Sequence, residues 1–173
     1  MIDIHEVRKG EIEQVSTFLL ATMEEVYPFP LSDASRRDLS EMEALFIKRE
    51  KATIITAYIS GQVVGTIAVR PYDGRIGVLE NRYHLETTCE LIKCYVDKQL
   101  RQKGVGSLLF ESAVQFCKQA NYTTMYLHTH RFLPGGLTFW KKKGFQLIVE
   151  ESQLETVHME QDIDKVDKYF RNF

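Results

Sequence analysis

DKQLRQKGVGSLLFESAV, residues 97–114, carries the least ordinary spacing in the chain: R-x-x-G-x-G at Arg101, Gly104 and Gly106. The apolar run CELIKCYV (residues 89–96) precedes it. After it, apolar residues recur at helical spacing through Val105, Leu108, Leu109, Ala113, Val114, Phe116 and Cys117. A strand that enters a glycine turn and leaves as a helix can hold an anion. The first turn of a helix exposes unpaired N–H groups at the positive end of the helix dipole. Gly104 and Gly106 let the backbone approach with no Cβ in the way. Arg101 and Lys103 add charge-assisted hydrogen bonds, and Ser107 adds a hydroxyl. A glycine turn flanked by solvated cations fits the same spacing equally well. The stretch is neither G-x-x-x-x-G-K-[ST] nor G-x-G-x-x-G, so neither a P-loop nor a dinucleotide fingerprint is present.

On both sides of this stretch the pattern predicts interleaved strands and helices. IDIHEV (2–7) alternates as a first strand, and residues 10–26 put Ile12, Val15, Phe18, Leu19, Met23 and Val26 on one helical stripe. YPFPLSD (27–33) breaks that helix, and Ser32 or Asp33 caps the next, which carries Leu39, Met42, Leu45 and Phe46 inward. ATIITAYIS and VVGTIAVR flank Gly61-Gln62 and read as a hairpin. Residues 71–88 are a turn-rich excursion. TTMYLHTH is a strand, Pro134 opens a short helix closed by Gly144, and FQLIVEE with TVHMEQDI forms a last strand pair. The tail DKVDKYFRNF (164–173) is a short helix or frays. The order β-α-α-β-β-β-α-β-α-β-β predicts an α/β (α+β) chain with a mixed sheet and helices on both faces.

The length of 173 residues suits one domain, residues 1–173, with a real core. A net charge of −2 with no basic run argues against nucleic-acid binding through bulk charge. Three cysteines without C-x-x-C predict reduced thiols and a cytoplasmic protein rather than a disulfide framework. Neither a signal core nor a membrane-length apolar run is expected.

R-x-x-G-x-G after a strand ending in YV and before SLLFESAVQFC resembles motif A of the GNAT superfamily of N-acetyltransferases. Val96 lies five residues before Arg101, as in that family, and GGLTFWKKKGF (135–145) resembles its second signature. The resemblance is specific over residues 89–149 and topological before them. It implies a mostly antiparallel sheet splayed at a cofactor cleft between the strands at 89–96 and 123–130, with acetyl-CoA as co-substrate. By position, Arg101, Gln102, Lys103, Gly104, Val105, Gly106 and Ser107 would cradle the pyrophosphate. Cys94 and Val96 would offer backbone groups to the pantetheine arm and thioester. Gly136, beside Gly135, would permit close approach of the cofactor. The implied reaction is direct attack of an amine, on a small molecule or a peptide, upon the thioester.

That chemistry needs a base for the amine and a donor for the developing oxyanion. Glu90 is the base candidate, since family members that acetylate histones carry a glutamate eleven residues before the motif arginine. A solvated glutamate at a strand end fits as well. His128 and His130 share a strand face and would line the cleft or replace Glu90 as base, unless they are a surface pair. Without a third ligand signal they predict no metal site. The position of the family's acidic tyrosine falls on Trp140, whose indole cannot supply a proton. The thiolate then leaves unassisted, another tyrosine (Tyr95, Tyr122 or Tyr126) helps, or activity has been lost. Leu133 stands where the family often has asparagine. Tyr27 and Phe29 are the acceptor-pocket candidates. The competing functions are a non-catalytic acyl-CoA sensor and a nucleotide-binding protein. A homodimer is common in the family.

Overall fold

The computed structural model describes residues 1–170. Its strands are β1 (Ile2–Glu6), β2 (Thr53–Ile59), β3 (Gln62–Pro71), β4 (Thr88–Val96), β5 (Thr124–His130), β6 (Gln146–Glu151) and β7 (Thr156–Asp162). The α-helices are α1 (Ile12–Val26), α2 (Asp33–Ser40), α3 (Val105–Gln119) and α4 (Gly136–Lys142). Their order along the chain is the expected one. The chain forms two compact units, one from Met1–Arg70 with Lys93–Ala113, the other from Pro71–Ile92 with the chain from Val114 onward. β4 and α3 run through both.

In the first unit the strands are ordered β1-β2-β3-β4. β1–β2 and β2–β3 are antiparallel, with pairs Ile4↔Ala57 and Ile55↔Ile67. β4 runs antiparallel to β3, because Asp97 N–H donates to Val64 O (2.8 Å) while the Thr66 hydroxyl donates to Lys93 O (2.7 Å). Residues 53–58 of β2 and 64–69 of β3 are buried without alternation, so both faces of these strands are covered. The hairpin turns at Ser60-Gly61, one residue before the expected Gly61-Gln62. Ile59 pairs with Gln62, and both turn residues take positive φ (50° and 76°), the twist a two-residue hairpin prefers. α1 buries Val15, Leu19 and Met23. Ser32 caps α2 by accepting Ser35 N–H (3.1 Å). α2 ends at Ser40, earlier than its apolar pattern suggests, and a π-turn (Glu43–Ile47) delivers Phe46 to the core. Gly65 admits α3: a Cβ there would stand 2.9 Å from Leu109 Cδ1 and 3.2 Å from Tyr95 O.

In the second unit the order is β4-β5-β7-β6. β5–β7 and β6–β7 are antiparallel, and β4–β5 is parallel. The sheet is therefore mixed and mostly antiparallel, as expected. The β4–β5 ladder holds three pairs, Thr88↔Thr124, Cys89↔Met125 and Glu90↔Tyr126, whereas β5–β7 runs to His130↔Thr156. Cys89, Cys117, Met125, Leu127, Val157 and Met159 form this unit's interior. The excursion at 71–88 is ordered: Tyr72 and Leu79 are buried with Tyr126, and Ile76 and Tyr83 pack against them. α4 starts at Gly136 behind Gly135 (φ 71°), two residues after the proline expected to open it. Gly144 (φ 87°) ends it as expected. The tail makes short 3-10 turns at Ile163–Lys165 and Asp167–Tyr169, and its last three residues lie outside the described ones. Among the described residues, no helix is long and apolar enough to cross a membrane.

Candidate active site

The glycine turn lies in the first unit. Asp97 caps a 3-10 turn (Lys98–Leu100) by accepting Gln99 N–H at 2.8 Å. Arg101 is extended, and Gln102 (φ 64°) and Gly104 (φ 91°) then turn the chain through left-handed backbone. Leu108 N–H to Gly104 O (3.2 Å) opens the ladder of α3. The N–H groups of residues 104–107 precede that bond and have no intrahelical acceptor. Gln102 and Lys103 are exposed, Gly106 and Ser107 half-buried, and Val105 is buried, leaving only its backbone available. The donor set and the left-handed glycine fit a pyrophosphate. Arg101 Nε–H donates to Val96 O (3.2 Å), and Nη2 lies 3.8 Å from Glu25 Oε1. The carbonyl of Val96 thus already serves the loop's own arginine.

The strand leading to this turn carries a feature that sequence reasoning missed. Lys93 in mid-β4 has φ 53°, which is unusual for a side-chain-bearing residue in a strand. Its side chain is 9% exposed and its ammonium pairs with Asp38 of α2 at 2.9 Å; Arg70 adds a second cation to Asp38 at 3.4 Å. Nothing in the sequence separates this lysine from a solvated one. Beyond it, burial pushes the Cys94 thiol up to about 12, so it stays protonated at neutral pH. The Tyr95 hydroxyl donates to that of Tyr27 (3.3 Å), whose ring meets Phe29 at 5.6 Å. Both acceptor-pocket candidates therefore share one aromatic cluster.

The second unit gathers the ionisable candidates. Glu90 and His128 come together from β4 and β5, with His128 Nδ1 3.8 Å from Glu90 Oε1. Glu90 is 0% exposed and is clasped by Arg75 from the excursion, Nη1 to Oε2 at 2.8 Å and Nη2 to Oε1 at 2.7 Å. It is an interior carboxylate, not a solvated strand end. Arg75 Nη1 also reaches Asp73 at 3.0 Å. The hydrogen bonds to Glu90 raise the pKa of Arg75 further, so the guanidinium is always charged. The side chain of His128 is 33% exposed, yet its Nδ1 is enclosed without a hydrogen-bond partner. Burial lowers its pKa to about 4 against the opposing pull of Glu90, so the imidazole is neutral at pH 7. Arg75 was missed because an arginine in a turn-rich loop reads as solvated; only the fold brings it to Glu90.

Around them stand other histidines and tyrosines. His130 Nδ1 lies 2.9 Å from Leu154 O and its ring stacks on Phe132. His158 Nδ1 meets the Tyr126 hydroxyl and its Nε2 meets Glu151 Oε2, each at 2.7 Å. Tyr122 and Tyr126 are buried. Trp140 is buried too, edge-on to Phe139 (4.8 Å) and Phe145 (5.2 Å). Gly136 lies against β5, where a Cβ would meet Thr129 Oγ1 at 3.1 Å. Among the described residues, no group of three or more His, Cys, Asp or Glu is placed to hold a metal.

Residues 16–145 match the family model described as acetyltransferase (GNAT) family. N-acetylaspartate synthetase of Danio rerio is 25% identical over 120 residues, 69% of this chain and 39% of that protein. The chain thus spans about two fifths of that relative's length. A GNAT-family acetyltransferase from Staphylococcus aureus Mu50 superposes with a TM-score of 0.77 at 19% identity, covering 94% of this chain and 99% of that one. PaiA N-acetyltransferase from Thermoplasma acidophilum, solved in complex with coenzyme A, superposes with a TM-score of 0.73 at 18% identity over 94% and 99% of the two chains. At those identities the likeness is one of fold.

Proposed function

The chain belongs to the acetyltransferase (GNAT) family, and from that membership we propose that it is an N-acetyltransferase passing an acetyl group from acetyl-CoA directly to an amine. The reading rests on one observation above the rest: in a chain of this family, the left-handed turn at Gln102 and Gly104 opens onto the unsatisfied first turn of α3. Arg101, Lys103, Ser107 and the N–H groups of residues 104–107 hold the pyrophosphate. The backbone at Cys94 and Val96 orients the pantetheine arm. When bound, acetyl-CoA supplies the thioester carbon that the amine attacks.

His128 accepts the amine's proton. It is neutral at pH 7 and one third of its side chain is accessible, whereas Glu90 has no exposed atom with which to touch an acceptor. Glu90 stands behind it as a positioning residue. Buried Trp140 donates no proton, so the thiolate leaves unassisted. Tyr27 and Phe29 face the apolar part of the acceptor, a small molecule or a peptide, and the chain works as one cytoplasmic domain. The departure at Trp140 favours a second reading, a non-catalytic acyl-CoA sensor.

Calorimetry with acetyl-CoA, CoA and ATP, followed by thiol release over a panel of amino acids, polyamines, aminoglycosides and peptides, tests this function. CoA binding with turnover of one amine is expected. CoA binding without any turnover makes the protein a sensor, and ATP binding without CoA binding overturns both.

A further inference from the structure

We propose that Arg75, carried by the excursion between β3 and β4, is a positioning residue that claims the Glu90 carboxylate and thereby keeps His128 free to act as a base. The inference rests on the reading of His128 given above and adds a group that acts on it besides burial.

A buried carboxylate beside an imidazole normally captures a proton for it, forming an imidazolium–carboxylate pair. Such an imidazolium cannot accept a proton from an amine. Here the carboxylate is already committed. Both Glu90 oxygens accept from Arg75, at 2.7 and 2.8 Å, while His128 Nδ1 stays at 3.8 Å from the nearer one, beyond hydrogen-bond reach. A planar guanidinium outcompetes the imidazole because it presents two parallel N–H groups and a permanent charge.

Several charged and titratable groups face His128 in this unit. Glu90 on β4 raises its basicity. Arg75 from the excursion, His130 on β5 and His158 on β7 lower it, and the buried phenol of Tyr126 stays protonated. Asp73 bonds Arg75 from outside. Among these groups Arg75 is the only permanent cation, so its removal takes away the fixed positive charge that holds the Glu90 carboxylate beside the imidazole.

The excursion is built to hold Arg75 still. Tyr72 and Leu79 are buried. Arg82 makes a two-point ion pair with Glu160 of β7, and the Tyr83 hydroxyl donates to the same carboxylate at 2.7 Å. Thus a loop whose sequence looks solvated is docked at both ends of the segment that carries Arg75.

The test is an NMR titration of the His128 imidazole in the full-length protein, assigned with His128→Gln, for wild type, Arg75→Gln and Arg75→Lys. Wild-type His128 is expected to titrate well below pH 6. In Arg75→Gln the midpoint moves up by about one pH unit or more, and Arg75→Lys moves it less, because lysine restores the charge without the fork. The acid limb of kcat/KM follows the same shift, so that activity lost at pH 6 returns at pH 8. A folded Arg75→Gln protein with an unshifted His128 overturns the role of Arg75. If Arg75→Gln does not fold, an unshifted midpoint in Arg75→Lys does the same. Retention of acetyl transfer by His128→Gln would instead overturn the reading of His128 as base, and the titration still reports on Arg75.

Discussion

A single imidazole carries the chemistry proposed for this protein, and its environment makes the claim testable. His128→Gln is expected to lower kcat by about a hundredfold or more, the usual worth of a general base, while calorimetry finds acetyl-CoA affinity unchanged. The same residue affects stability. Its folded pKa, about 4, lies below the ordinary value of 6.5. The unfolded chain therefore binds the proton more readily. The stabilisation from a neutral His128 is present above pH 6.5 and is lost as pH falls towards 4. Urea midpoints measured across that window should decline less steeply in His128→Gln than in wild type. The part of the decline that persists belongs to groups such as His130, which burial also depresses.

At the scale of elements, the strand that leads into the glycine turn carries a left-handed residue in its middle. Lys93 holds a left-handed conformation in mid-β4, with its carbonyl bonded by Thr66 and its ammonium by Asp38. Removing one partner of a mostly buried ion pair leaves the other charge uncompensated. Asp38→Asn is therefore expected to cost about 3 kcal/mol in denaturant unfolding and to raise KM for acetyl-CoA more than it lowers kcat. α3 depends on close approach in another way. Gly65→Ala would press a methyl group against Leu109 and Tyr95 O, and a loss of about 1–3 kcal/mol is expected from the same unfolding measurement. A melting temperature unchanged by Gly65→Ala would show that α3 can move away freely.

For the whole molecule, a ligand that binds only the folded chain must stabilise it. Acetyl-CoA at a hundred times its dissociation constant contributes about 2.7 kcal/mol. For a chain of 173 residues that is a rise of roughly 5–10 °C in melting temperature. The rise should shrink in Arg101→Ala, which removes the donor proposed for the pyrophosphate, and persist in Trp140→Phe. The element order and the glycine turn were legible in the sequence because both are local. Apolar period, turn residues and the glycine spacing act over a few neighbours, and the covalent chain enforces them. Ends of elements slipped by one or two residues, at Ser60-Gly61 and at Gly136, where backbone twist and a left-handed cap outweighed composition. What an ionisable side chain does was not legible. Glu90 read equally as a catalytic base or a solvated strand end, Arg75, Lys93 and Asp38 read as surface charges, and only the fold buries and pairs them. The sequence by itself determined the order of the elements, the family and the place of the glycine turn between β4 and α3. Only the tertiary structure decided that Glu90 is sealed by Arg75, that Trp140 is packed among phenylalanines and that His128, beside Glu90, keeps a third of its side chain exposed. Burial and pairing depend on residues tens of positions apart, and these set the charge and reach of each group.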